Sequence, residues 1–208
     1  SPSSRPNAGN VDGPGDKAKL ATPQRLALDG KDNLYFWDED NNSIRKVSND
    51  AAHTVSTFVS KLTENSGALL SQTFLGGKLY VYGTDGIEVF LSAFDTEGKK
   101  TSVFKGRADL FGYDSSSSKT LGGMTNDGSS LILFFNGQLF RVTPAGAISP
   151  IAGVEGNKTD PSSGYDFKAP HPGQKAELLF KNQNSTAGMS VFLGTDAASK
   201  VYVSGRFA

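Results

Sequence analysis

A strand–turn–strand unit at residues 34–47, LYFWDEDNNSIRKV, constrains the fold of this chain more than any other feature. Its two ends carry the apolar residues of short strands, and its polar middle, from Asp38 to Ser43, has the composition of a tight turn. The two strands are therefore predicted to pair antiparallel. Weaker copies of the same unit recur at residues 78–91, 130–142 and 200–204.

The spacing of these copies predicts a repeat protein. A short apolar segment precedes each copy, and a further strand-like segment follows the first three, so that one repeat holds four strands over about 45 residues. Turn dipeptides such as Asp29-Gly30 and Asn136-Gly137 separate the apolar runs. The predicted fold is all-β, a β-propeller of four-stranded blades, with about three and a half blades in this chain. The predicted segments are a single propeller domain with blades near residues 22–60, 66–106, 119–152 and, incomplete, 186–208, and a long inter-blade loop at 153–178.

The first repeat resembles the NHL repeat. The resemblance rests on Leu34-Tyr35-x-x-Asp38-x-x-Asn41-x-x-Ile44-Arg45-Lys46-Val47 and is strong there, whereas the second and third repeats keep the strand pattern but lack the Asp and Asn of the turn. The glycine-rich residues 8–23 resemble the inter-blade loop of bacterial extracytoplasmic NHL proteins, and residues 152–178 resemble a longer version of it. The resemblance implies an extracytoplasmic location and a ring that usually has six blades.

Composition excludes several classes of function. The chain has 21 Lys and Arg against 21 Asp and Glu, and its small basic cluster at residues 99–107 is offset by neighbouring acids, so nucleic acid is not an expected partner. Cysteine is absent, which excludes a disulfide framework and thiolate chemistry. No run approaches the roughly 18 apolar residues that a membrane-spanning helix needs.

The acidic turn of the first repeat invites a metal-site interpretation, which its spacing does not support. Asp38, Asp40 and Asn42 alternate as in the start of a calcium loop, but the glycine and the closing glutamate of such a loop are missing. Asp38 and Asn41 are therefore predicted to be structural turn residues that hydrogen-bond the hairpin backbone. Two histidines do not make a zinc set by themselves. Neither a calcium nor a zinc cofactor, nor any catalytic residue, is predicted.

Three residues are the candidates for ligand binding. By register with the first repeat, Arg25 stands near the start of an innermost strand, where the NHL family commonly has glycine. It is predicted either to bind an anionic ligand or to pair with a neighbouring acid. Tyr165 and His171 lie in the long loop at 153–178, and loops of that length are uncommon unless they are functional or mobile.

The leading functional hypothesis is a non-enzymatic, exported or surface-associated propeller module for protein or glycan binding or for assembly. Two alternatives stay open, namely a metal-dependent lyase or hydrolase of the NHL-like type whose site is completed from outside this chain, and an intracellular NHL module that binds RNA or protein. Because the sequence ends within its fourth predicted blade, the expected partner is another polypeptide chain or fragment that completes the propeller, or further copies of this chain. A complete four-bladed ring is the remaining reading.

Overall fold

The structure is a computed structural model of the 208-residue chain. It describes residues 8–63, 68–84, 88–107, 123–135, 138–152, 190–195 and 201–206. Within these ranges lie fourteen strands and a single turn of 3-10 helix, Glu39–Asn41. The strands are β1 Pro23–Leu28, β2 Leu34–Asp38, β3 Ser43–Val47, β4 Val55–Ser60, β5 Ala68–Leu75, β6 Lys78–Thr84, β7 Glu88–Phe94, β8 Lys100–Arg107, β9 Gly123–Asn126, β10 Leu131–Phe135, β11 Gln138–Val142, β12 Ile148–Ala152, β13 Ser190–Thr195 and β14 Val201–Arg206.

The strands form three four-stranded antiparallel sheets and one two-stranded sheet. In each larger sheet the strands neighbour one another in chain order, as β1 to β4, β5 to β8 and β9 to β12, and we call these sheets blades 1, 2 and 3. Strands β13 and β14 pair antiparallel from Ser190 opposite Arg206 to Thr195 opposite Val201. The predicted all-β fold built from four-stranded propeller-type sheets is therefore confirmed.

The chain divides into two compact units, one of residues 1–86 and 90–102 and the other of residues 87–89 and 103–208. The second strand of each blade is a run of consecutive apolar residues rather than an alternating one. In β6 and β10 four such residues in succession are buried, Leu79 to Tyr82 and Leu131 to Phe134. Such continuous burial means that both faces of these strands are covered.

The core of the first unit lies between blades 1 and 2. Tyr35 and Trp37 of β2 and Ile44 of β3 pack with buried apolar side chains of blade 2, which are Leu69, Leu79, Val81, Phe90 and Phe94. The ring of Tyr35 meets Phe58 edge-on with centroids 5.0 Å apart and lies 4.7 Å from the ring of Phe74. Burial, followed by the charge of Asp29, raises the pKa of Tyr35 to about 12.

One polar turn recurs between the third and fourth strands of the blades. Asp50 accepts hydrogen bonds from the backbone N–H of Ala52 and Thr54, and Asp95 accepts them from Glu97 and Lys99. In blade 3, Thr143 takes this place and accepts from the N–H of Ala147. Hydrogen bonds from the backbone are the largest reason why the pKa values of Asp50 and Asp95 lie below the ordinary 3.8.

The same turns bring glycine close to the outer strand of another blade. Gly98 has φ +79°, and a Cβ built on it would lie 2.7 Å from the carbonyl oxygen of Phe58 in β4. Gly146 has φ +90°, and its Cβ would lie 2.9 Å from the carbonyl oxygen of Val103 in β8. Blade 1 has His53 at the equivalent position, also with positive φ, so a side chain stands where the other two blades require none.

Candidate functional site

A segment before the first strand, residues 9–20, packs against blade 1, and we call it the strap. It doubles back on itself through a bridge between Val11 and Lys19. Gly13 then pairs with Val55 at the outer strand β4, with N–H to O distances of 2.9 and 2.8 Å in the two directions. The glycine-rich composition of this segment thus serves close backbone contact with the sheet edge.

The strap is held by Arg45, whose side chain is 0% exposed. Its guanidinium lies 3.3 Å from the carboxylate of Asp38 and 2.6 Å from that of Asp12. It also donates to the side chain of Asn10 at 2.8 Å and to the carbonyl of Val11 at 3.2 Å. A charge removed from water is tolerated only when it is paired and hydrogen-bonded in this way. Arg45 therefore links blade 1 to the strap.

Asp38 and Asn41 take part in this network and reach beyond their own turn. The carboxylate of Asp38 is fully buried and accepts from the backbone N–H of Ala21 at 2.8 Å and of Thr22 at 2.9 Å. Asn41 donates to Asp38 at 2.7 Å and to the carbonyl of Gly9 at 2.9 Å. These two residues thus connect the turn to the incoming chain, in addition to any role in the hairpin itself.

The acidic turn shows no metal-binding arrangement in the part of the chain that the structure describes. Asp38 is occupied by the strap network, and Asp40 accepts a hydrogen bond from the hydroxyl of Thr22 at 2.7 Å. Asn42 bonds Thr63 through both its amide nitrogen and its amide oxygen. Among the described residues, no group of three or more His, Asp or Glu side chains is placed to hold a metal ion.

Arg25 lies in β1 at an irregularity of the β1–β2 ladder. Gln24 pairs with Trp37 and Ala27 with Tyr35, so Arg25 and Leu26 share a single opposing position. Arg25 has φ +57°, an uncommon backbone conformation for a residue with a side chain. The amide of Gln72 in β5 donates to the backbone carbonyl of Arg25 and, at 3.0 Å, to that of Tyr35, and so fixes this bulge.

The side chain of Arg25 has no acidic partner among the described residues. Its Nε is buried without a hydrogen bond, and no described carboxylate lies within ion-pair distance of its guanidinium. Arg45 and Arg141 differ, because Arg45 has two carboxylate partners and Arg141 has Asp127 at 3.2 Å. The structure thus places Arg25 as a half-buried cation on a strained edge strand.

The other two candidate ligand residues, Tyr165 and His171, and the long loop that carries them lie outside the described residues. Sequence reasoning gave no role to three residues that prove central, Arg45, Asp12 and Gln72. A signal existed for Arg45, because it is a charge opposite Phe36 in a strand of otherwise apolar pattern. For Gln72 and Asp12 no local signal exists, since their partners lie 47 and 33 or more residues away.

No family model matches the sequence, and no curated protein matches it. Solved structures do match the fold. The extracellular domain of a protein described as a hybrid two component system from Bacteroides thetaiotaomicron has a TM-score of 0.51 at 14% identity over 91% of this chain and 20% of that chain. The PQQ-bound aldose sugar dehydrogenase of Streptomyces coelicolor has 0.50 at 16%, over 88% and 56%. An auxiliary nutrient binding protein from Bacteroides ovatus has 0.50 at 12%, over 91% and 50%.

These structures are β-propellers, so this chain has a β-propeller fold and its sheets are propeller blades. At such low identity the likeness concerns the fold alone. The chain spans between 20% and 56% of the length of these three proteins. None of the described residues forms a helix long and apolar enough to cross a membrane.

We predict that the strap loosens in acid because of Asp12. Burial opposes the ionised form, but hydrogen bonds from Thr57 and the charge of Arg45 outweigh it, so the pKa of Asp12 lies below the ordinary 3.8. A lowered pKa means that its stabilisation is complete above about pH 4 and is lost as the pH falls through the folded-state value. Amide exchange at Gly13 and Val55, corrected for intrinsic rates, should quicken between pH 4 and 2.

The matched control is Asp12→Asn, which removes the titrating group and keeps its size. In this variant the exchange of the same two amides should already be faster at pH 6 and should change less on acidification. Equal protection at pH 6 and pH 2 in the unmodified chain would contradict the role given to Asp12.

Proposed function

We propose that this chain is a non-enzymatic, extracytoplasmic β-propeller module of the NHL-like type, which binds a carboxylate-bearing glycan or protein segment through Arg25. The NHL-like assignment rests on the motif of residues 34–47, and its buried Arg45–Asp38 pair gives that motif a structural purpose. The occurrence of an extracellular domain and of a nutrient binding protein among the matching propellers fits an extracytoplasmic module.

The observation that carries the proposal is the isolation of the Arg25 guanidinium. Its position is over-determined, because Gln72 fixes the backbone carbonyl of the same residue while the backbone is held at positive φ. Strain of this kind costs on the order of 1–3 kcal/mol and is concentrated at functional sites. The planar guanidinium suits bidentate recognition of a carboxylate, and a held backbone lowers the ordering cost of that contact.

The proposal predicts charge-dependent binding of small probes. We expect trigalacturonate, or a peptide rich in glutamate, to bind the chain more tightly than galactotriose or the matching glutamine peptide. A hydrogen bond to a charged group contributes about 1.5–3 kcal/mol, so Arg25→Gln should weaken binding of the recognised probe about 10- to 100-fold. Isothermal titration calorimetry at low and physiological salt measures the effect, and the two probes distinguish a glycan from a protein ligand.

The matched control is Arg141→Gln, which alters a half-exposed arginine that already has a carboxylate partner. Its affinity for the recognised probe should equal that of the unmodified chain. Equal affinity in the Arg25→Gln variant, or a preference for the neutral probes, would overturn the proposal.

A further inference from the structure

One face of blade 1 carries apolar side chains in registered rows. Leu28 pairs with Leu34, Leu34 with Val47, and Val47 with Val55 across the four strands. Leu26 lies two residues from Leu28 in the same strand and therefore on the same face. Tyr35 and Trp37 alternate with these residues and belong to the opposite face, which packs against blade 2.

The strap covers only the outer half of this face. It lies over Arg45 and the neighbouring Phe36, which are 0% and 3% exposed. At the inner edge, by contrast, Leu26 is 66% and Leu28 59% exposed. Single exposed leucines are ordinary, but here two of them continue a buried apolar row on a sheet that is packed on its other side.

The first strands of the other blades are different. In β5, Leu69 and Leu70 are buried, and in β9 Met124 is buried. Leu69 is buried because blade 1 covers it, as part of the core cluster of the first unit. Among the described first strands of the three blades, β1 is thus the one that leaves its large apolar residues open.

We infer that the open half of this face, Leu26 and Leu28 with Leu34, binds a further propeller blade that is supplied by polypeptide outside these 208 residues. The partner chemistry is a sheet face of branched aliphatic and aromatic side chains, like the face that blade 2 presents to Tyr35 and Trp37. The open half is continuous with the half that the strap already covers. The matching solved propellers are also longer, since this chain spans 20–56% of their lengths.

The rim of blade 1 narrows the docking mode. Blades 2 and 3 use Gly98 and Gly146 to approach an outer-strand carbonyl of another blade. Blade 1 has His53 there, and the strap residue Gly15 lies against the turn instead, with its N–H 3.0 Å from the carbonyl of Ala52. The further blade therefore contacts blade 1 through the inner leucines, and the strap lies between the two blades at the rim.

Photocrosslinking in the intact protein, produced in its own cell, tests this inference. p-Benzoylphenylalanine at position 28 should give adducts with a peptide outside residues 1–208 that has alternating apolar residues. The same probe at Lys31, an exposed residue of the β1–β2 turn, should give no such adduct. Adducts with residues 1–208 of a second copy, with the strap, or with no protein at all would each overturn it.

A thermal measurement on the intact protein gives an independent answer. If Leu28 is covered by another blade, Leu28→Glu buries a charge and should lower the Tm by about 5 °C or more, whereas Leu28→Met should leave it nearly unchanged. If the side chain stays in water, Glu is tolerated and the two variants melt together. That second result would refute the inference even if the ligand role of Arg25 were correct.

Discussion

Replacing Arg45 with methionine is expected to destabilise the first unit by about 3–5 kcal/mol, the cost of breaking a buried ion pair. The substitution removes the cation that Asp38 and Asp12 face, while Asp38 keeps its fully buried carboxylate. The backbone N–H groups of Ala21 and Thr22 still solvate that carboxylate in part, which limits the loss. Urea unfolding followed by fluorescence of Trp37, the one tryptophan of the chain, reports directly on blade 1.

A matched control comes from the strap itself. Lys17 and Asp16 form an ion pair of 3.1 Å whose side chains are 75% and 71% exposed. Exposed pairs contribute little, so Lys17→Met should change the free energy of unfolding by less than about 1 kcal/mol. Arg45→Met should also speed amide exchange at Gly13 and Val55. Equal urea midpoints for the two variants would contradict the function of Arg45 as the link between blade and strap.

Local pattern was sufficient to predict the strands and their grouping. The runs at residues 34–37, 79–82 and 131–134 are apolar throughout, β-branched or aromatic in part, and bounded by turn residues. Their even spacing indicated repeated four-stranded units, and the structure has three such sheets. Pairing within a hairpin depends on neighbours in sequence, so it can be read from sequence.

The candidate site was less predictable because its geometry depends on partners far apart in sequence. Arg45 reaches side chains 33 and 35 residues earlier, and Gln72 reaches the carbonyl of Arg25 across 47 residues. The bulge at Arg25 is likewise visible only once β1 and β2 are paired. Sequence alone identified Arg25 as a residue in an unusual place, and left open whether an acid pairs with it.

The recurring turn before the fourth strand also escaped sequence analysis. Asp50 and Asp95 occupy equivalent places, but Thr143 replaces them in blade 3, and a glycine in two blades becomes His53 in the first. What the three turns share is a hydrogen-bonding pattern, because an Asp carboxylate and a Thr hydroxyl both accept from the backbone N–H four residues later. Residue identity hides this equivalence, and backbone geometry reveals it.

This turn provides the second large effect, which we expect for Gly98→Ala. A Cβ at this position would lie 2.7 Å from the carbonyl oxygen of Phe58, which is backbone and cannot rotate away. The residue also has φ +79°, which costs an L-residue on the order of 1–2 kcal/mol. Overlap in a packed contact adds about 1–3 kcal/mol. The total predicted loss is roughly 2–4 kcal/mol, measured by urea unfolding with Trp37 as reporter.

Gly77→Ala separates the two contributions, because Gly77 has a nearly equal φ of +76° but nothing within 4 Å of its Cβ position. It carries the backbone cost alone and should lose only about 1–2 kcal/mol. The difference between the two variants therefore measures the overlap between the blade 2 turn and the blade 1 edge. If Gly98→Ala were no more destabilising than Gly77→Ala, close approach between these two blades would not depend on glycine, and His53 in blade 1 would lose its significance as the exception.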